Sequence, residues 1–371
     1  MKQTAKKTIG QTRRRDVQAL PVSAWLGREV ATLNPGYFAL VMATGIISNA
    51  MFFTDHRAVS NALFVVNSVF LLWLIAATLW RAVYYRAAFW RGLVNPRRVF
   101  SFFTIVAALD VYGGGLCLRG AGGIAVFFWF AAFALWFVLL YFSFGVLAII
   151  NKEDEANVIH GGWLIAIVGT ESLVILGSQI SPWLGSHAAA MFVLTHMLWG
   201  VGLGLYGIFV TLFAHRMFFF RVEPSDLAPL LWVVMGAGAI ATNAGSVLIL
   251  TETKLPFLQS VRPFIDGVTL LMWAWSAWLI PLLALLDIWK HAVRGEPLVY
   301  TPMLWSFVFP LGMFALASGR LSLASDFTPL AAVAYTMVWI ALAAWFLTAS
   351  GLVIALWREF SMARFGTRRA H

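Results

Sequence analysis

Ten apolar stretches follow one another from residue 36 to residue 357. Each is close to or beyond the ~20 residues that a helix needs to cross the hydrocarbon core of a bilayer. They fall at 36–54, 61–82, 99–118, 124–150, 161–180, 187–213, 229–250, 265–289, 301–319 and 328–357. In lipid, a segment of this length must satisfy its backbone within itself, which means a helix. Composition agrees: 61% of residues are hydrophobic and only 11% charged, a balance outside that of soluble domains. The expected fold is an all-α integral membrane protein with ten transmembrane helices over 34–357. A basic leader (1–33) precedes them and a basic tail (358–371) follows. The first apolar run is too long for a signal-peptide core and lacks an Ala-x-Ala site, so no cleaved signal is read. Within the leader, Leu20, Val22, Trp25, Leu26 and Val30 interleave with polar residues, a pattern suited to lying along the membrane surface.

Lys and Arg set the orientation. Only Arg57, Arg119, Lys254, Arg262 and Arg320 fall on one side of the segments; the rest of the 26 fall on the other. The positive-inside rule then places both termini in the cytoplasm, for a bacterial inner membrane. The same asymmetry explains the formal charge of +10 as topology and removes the need for a nucleic-acid partner. A single cysteine, Cys117, leaves no internal disulfide and no cysteine metal site. The seven histidines show no His-x-x-x-His pairing, so no metal site is expected. With no Walker motif there is no built-in ATPase. Gly202-Leu203-Gly204-Leu205-Tyr206-Gly207 matches a dinucleotide fingerprint by letter, but no strand precedes it. It reads as helix packing, and no cofactor is expected.

The segments alternate in character. Even ones are bulky; odd ones carry small and polar groups. Thr44, Gly45 and Ser48 lie in the first, Asp110 and Gly114 in the third, and Gly169, Thr170 and Glu171 in the fifth. Gly238 and Thr242 lie in the seventh, and Ser306, Pro310 and Gly312 in the ninth. Five helical hairpins, with odd helices lining a central pore and even helices outside, would produce this pattern. Small residues marking helix–helix contacts are the competing explanation.

The ninth segment, Thr301 to Gly319, is uncharged and has Pro310 at its middle. Proline removes a backbone donor and crowds the carbonyl four residues earlier, on Ser306. At ~100° per residue, Phe307 and Phe314 share one face while Trp305, Phe309, Gly312 and Leu316 form another. The stretch is either a well-packed kinked helix or one that puts an aromatic plug into a pathway.

Asn34-Pro35-Gly36-Tyr37-Phe38-Ala39-Leu40-Val41-Met42-Ala43-Thr44-Gly45-Ile46-Ile47-Ser48 resembles the opening helix of the tellurite-resistance and C4-dicarboxylate transporter family. That family includes the plant slow-type anion channels and the fungal malate permease. Trp305-Ser306-Phe307-Val308-Phe309-Pro310 is similar to its ninth-helix aromatic-proline motif. The resemblance implies five inner helices around a pore and a homotrimer with one pore per subunit. It also implies an anion channel or transporter occluded by a phenylalanine. Phe309, beside the proline, takes that role by position, with Phe307 second. The implied cargo is small inorganic anions, C4-dicarboxylates or both, with a proton-coupled malate-type or tellurite-related carrier as the alternative. The family's inner helices are often kinked by proline; here the third, fifth and seventh carry glycines instead.

No Lys or Arg lies mid-depth in any of these segments. An anion would be held by hydroxyls, backbone donors beside glycines and aromatic edges. Such sites are weak and favour fast passage. Asp110 and Glu171 are the exceptions to an apolar interior. Each is either a protonatable group coupling H⁺ to anion movement or a carboxyl bonded to a neighbouring helix. A membrane-embedded enzyme would need acids, histidines or metal ligands converging at one depth. They are scattered here, so transport rather than catalysis is expected. Trp73, Trp80, Trp129 and Trp136 of the even segments are the expected contact surface between subunits.

Overall fold

In the computed structural model, residues 22–150, 161–219, 229–251, 253 and 255–365 are described. Among them all regular structure is helical. The helices are α1 (Val22–Thr32), α2 (Phe38–Phe53), α3 (Arg57–Tyr84), α4 (Arg86–Leu93), α5 (Phe103–Leu118) and α6 (Gly122–Gly145). They continue with α7 (Ile165–Ile180), α8 (Ala188–Phe219), α9 (Val233–Leu250), α10 (Pro256–Ser260), α11 (Arg262–Ile288), α12 (Trp305–Ser325) and α13 (Pro329–Phe365). Most of the basic leader, the Lys152–Glu155 loop, Lys254 and the end of the tail lie outside the described residues.

Local chemistry explains several boundaries. The Asn34 side chain accepts the Gly36 N–H at 2.9 Å, and Pro35 opens the turn that leads into α2. Asp55 (φ 65°) separates α2 from α3, and Asp326 (φ 52°) ends α12; Asp tolerates this left-handed backbone better than most residues. Nine continuous helical stretches among the described residues are long and apolar enough to cross a membrane. One of them, Gly161–Phe219, is 59 residues long. It holds both α7 and α8, broken at Gly185, whose φ of 53° and ψ of −118° are not helical.

Burial alternates along the chain. In the spans containing α2, α5, α9 and α12, 78%, 78%, 94% and 83% of the most apolar window is buried. For those containing α3, α6, α11 and α13 the shares are 28%, 33%, 22% and 28%. The buried helices close on one another: α2 packs on α5, α5 on α7, α7 on α9, α9 on α12, and α12 back on α2. The exposed ones pack against this ring, as α3 does on α2, α6 on α5, α8 on α7, α11 on α9 and α13 on α12. Close approach of the ring helices needs small residues. A side chain at Gly236 of α9 would overlap the Pro310 ring of α12, and one at Gly312 of α12 would meet Ile46 and Ile47 of α2.

Trp345 of α13 donates its indole N–H to Thr44 Oγ1 of α2 at 2.9 Å, tying the two ends of the membrane domain together. Trp345→Phe should lower stability by ~0.5–1.5 kcal/mol, the net worth of one hydrogen bond. Thermal unfolding in detergent checks this; an unchanged melting temperature would mean that the bond contributes nothing. Trp129 and Trp136 correct an expectation. Both are buried inside the subunit, while Trp73 and Trp80 are exposed. Trp129 donates to the Leu173 carbonyl at 2.9 Å and Trp136 to Thr170 Oγ1 at 2.8 Å, so these two indoles fasten α6 to α7.

Candidate functional site

The five ring helices enclose a cavity. Asn49 of α2, Asp110 and Gly114 of α5, and Ser172 and Gln179 of α7 line it. Asn243 of α9 and Met313, Leu316 and Arg320 of α12 complete the wall. Only about 20 Å³ is open to the centres of water-sized molecules, room for one or two waters. The cavity is therefore narrow, with a few polar groups set in a largely apolar wall.

Its polar groups are unevenly satisfied. Ser172 Oγ lies 2.7 Å from Asp110 Oδ2 and 2.8 Å from the Gly169 carbonyl. Asn49 Nδ2 donates to the Val111 carbonyl at 3.1 Å. Arg320 Nη1 donates to Asn243 Oδ1 at 3.1 Å. The buried oxygens Asp110 Oδ1, Asn49 Oδ1 and Gln179 Oε1 have no partner among the described residues.

Arg320 is the residue that the sequence reading missed. The sequence pattern predicts a loop there, after an uncharged segment ending at Gly319. Instead α12 runs on to Ser325, and Arg320 is a buried helical residue. The helix also starts later than expected, at Trp305, so Pro310 lies in its second turn rather than at its centre. The missed signal was Leu321-Ser322-Leu323-Ala324, which contains no helix breaker. Gly319 reads as a helix end, yet it is a contact glycine: a side chain there would overlap Phe53 of α2.

The α12 register separates the phenylalanines. At ~100° per residue, Phe309 falls within about 40° of Met313, Leu316 and Arg320, the residues of α12 that face the cavity. It is 2% exposed and one turn further along this face. Phe307 points elsewhere and meets Trp232 edge-on, with ring centres 4.7 Å apart. Phe314 stacks on Trp273 of α11 at 5.8 Å.

Most of the other small and polar residues expected along a path sit at helix contacts. Thr44 receives Trp345, Thr170 receives Trp136, and Ser48 donates to the Ser60 carbonyl of α3 at 2.7 Å. Gly45 abuts Asn67 and Val111, Gly169 abuts Phe103, and Gly238 abuts Ser276. Thr242 bonds back to the Gly238 carbonyl at 2.9 Å. Ser306 is buried at the start of α12. Gly114 is the one of this set at the cavity wall, where it faces Gln179 and Asn49. The two acids part company. Asp110 lines the cavity, whereas the fully buried Glu171 points at α8, where its carboxyl occupies the space beside Gly202. Neither Glu171 oxygen has a hydrogen-bond partner among the described residues. Among the described residues, no group of three or more His, Cys, Asp or Glu is placed to hold a metal ion.

Residues 32–353 match the profile of a family described as voltage-dependent anion channel. An uncharacterized membrane protein of Mycobacterium tuberculosis is 37% identical over 144 residues, 39% of this chain and 73% of that protein. Two uncharacterized transporters of Methanocaldococcus jannaschii align over nearly the whole length. One is 24% identical over 334 residues, covering 86% of this chain and 93% of the relative. The other is 23% identical over 327 residues, covering 85% and 90%.

Proposed function

Because this chain belongs to the voltage-dependent anion channel family, we propose that it passes small inorganic anions between α2, α5, α7, α9 and α12. The observation that carries this reading is the cavity shared by all five helices, with buried Phe309 on the same face of α12 as its lining. Phe309 is the occluding residue: an apolar ring in a narrow path blocks both by size and by excluding water. The helices form ten crossings arranged as five hairpins. The 59-residue stretch Gly161–Phe219 supplies two of them, since as one straight helix it would span ~89 Å, about three times a bilayer core. Both ends of the domain are cytoplasmic, in a bacterial inner membrane. The working assembly is a homotrimer with a pore in each subunit, and the exposed Trp73 and Trp80 offer apolar contact area for it.

The narrowness of the cavity favours a halide- or nitrate-sized ion over a C4-dicarboxylate. A second reading, proton-coupled carriage of anions, is favoured by Asp110, an acid on the cavity wall with one unpartnered oxygen. Flux from proteoliposomes separates these. Purified full-length chain should release trapped chloride or nitrate down its gradient without ATP and without an imposed proton gradient. Release only when a proton gradient is applied would select the carrier; no release in either condition would reject anion transport.

A further inference from the structure

Two other arginines drawn into the protein each reach several acceptors, although the buried Arg81 Nε has no partner among the described residues. Arg81 donates to the Leu33 and Ala88 carbonyls at 2.6 and 3.1 Å. Arg119 donates to Asn61, the Gly115 carbonyl, Ser48 and Ser60, and its guanidinium lies 4.0 Å over Phe64. Arg320 is different. It is 8% exposed, lines the cavity, and among the described residues makes a single hydrogen bond, to Asn243. A guanidinium carries five N–H donors, so most of its capacity is unspent. No carboxylate pairs with it among the described residues, although Asp110 lines the same cavity. A buried cation without a counter-charge is costly, and an anion drawn into the cavity would relieve that cost.

Asp110 supplies the control. Ser172 has one hydroxyl hydrogen but two acceptors at hydrogen-bond distance, Asp110 Oδ2 and the Gly169 carbonyl. With Asp110 ionised the single hydroxyl hydrogen is shared between the two acceptors; a proton on Asp110 lets the acid donate to Ser172 and frees the hydroxyl for Gly169. We propose that Arg320 is the cationic anchor of a binding site for one small inorganic monoanion in this cavity, and that the site fills when Asp110 is protonated. This deepens the reading of the cavity as an anion path and rests on it.

The chemistry follows from the groups present. Arg320 holds the anion by charge-assisted hydrogen bonds. The Gln179 amide, which presents either end by rotation, adds an N–H donor. Ionised Asp110 repels the anion, whereas the neutral acid leaves the site with the net charge of Arg320. Among the helices packed on α5, α2 brings only neutral groups to the cavity. Glu171 of α7 faces Gly202 instead. Tyr141 of α6 is exposed, and Arg57 of α3 lies at that helix's exposed end. On α5 itself, Tyr112 stacks on Phe64, and Cys117 and Arg119 lie at its far end. Arg320 is therefore the charged group that shares the cavity with Asp110. Anion affinity should rise as pH falls through the titration of Asp110.

The test is thermal unfolding of the purified full-length protein in detergent. Sodium chloride or nitrate is titrated against sodium gluconate at constant ionic strength, at pH 6 and at pH 8.5. Wild type should show saturable stabilisation by chloride or nitrate, tighter at pH 6. Asp110→Asn should bind at pH 8.5 as wild type does at pH 6. Arg320→Gln, which keeps a donor for Asn243, should raise the half-saturating concentration about tenfold or more, as expected for losing hydrogen bonds from a charged donor. Should that variant not fold, Arg320→Lys keeps the charge without the fork and should weaken binding severalfold. Saturation unchanged in either Arg320 variant, or gluconate stabilising wild type as well as chloride does, overturns the site. Affinity in wild type that shows no pH dependence anywhere the protein stays folded overturns the role of Asp110. Flux measured in parallel keeps the two readings apart. Anion flux with no Arg320-dependent binding leaves the path standing and removes the site; Arg320-dependent binding without flux does the reverse.

Discussion

Phe309→Ala should raise anion conductance on the order of tenfold, by opening an apolar constriction that excludes ions and water. Phe307→Ala should not, because its ring meets Trp232 and lies off the cavity face of α12. Burial alone gives the opposite expectation. Truncating a core phenylalanine typically costs ~3–5 kcal/mol, and a destabilised protein conducts less. The gap left by Phe309→Ala would not refill easily, since Pro310 is held against Gly236 and Gly312 against α2. Currents from size-selected, intact protein therefore discriminate. If Phe307→Ala opens the path and Phe309→Ala only destabilises, the occluding face is the other one. If neither opens it, no phenylalanine occludes.

Gly202→Leu should largely abolish assembly. A side chain at Gly202 would overlap the Glu171 carboxyl of α7, and both helices are fixed by other contacts, so α7 and α8 would have to separate. Overpacking of this kind costs ~1–3 kcal/mol for modest insertions, and a leucine is a large one. Glu171→Ala in the same chain should restore much of the folded yield by vacating the space. Glu171→Gln alone should fold and keep the pH response of transport, because its side chain faces α8 and not the cavity. Size-exclusion profiles and flux across pH check both statements. A well-assembled Gly202→Leu protein would refute the packing, and a lost pH response in Glu171→Gln would move proton coupling from Asp110 to Glu171.

Much of the fold is legible because lipid leaves the backbone few choices. Hydropathy alone places most of the long helices within a few residues, although α8, α12 and α13 run well past the expected ends, and the small-and-polar character of the odd segments matches the helices that close the buried ring. The register of Phe309 against Phe307 follows from helical geometry on Thr301–Gly319. The site is less legible. Thr44, Ser48 and Thr170 look like path residues in sequence, but they accept or make bonds to outer helices. A hydroxyl that satisfies a neighbour's indole has the same letter as one that faces an ion. Asp110 and Glu171 are equally conspicuous acids, and only the packing of α8 against α7 separates them. Arg320 was hidden by a glycine that resembles a helix end and is in fact a close approach to Phe53.

Planar-bilayer recordings of Phe309→Ala beside wild type, under a chloride gradient, test the central path most directly. The current should be larger in the variant and should reverse near the equilibrium potential of chloride. Reversal near that of the cation, or a variant that assembles and conducts no better than wild type, would contradict an anion path running past Phe309.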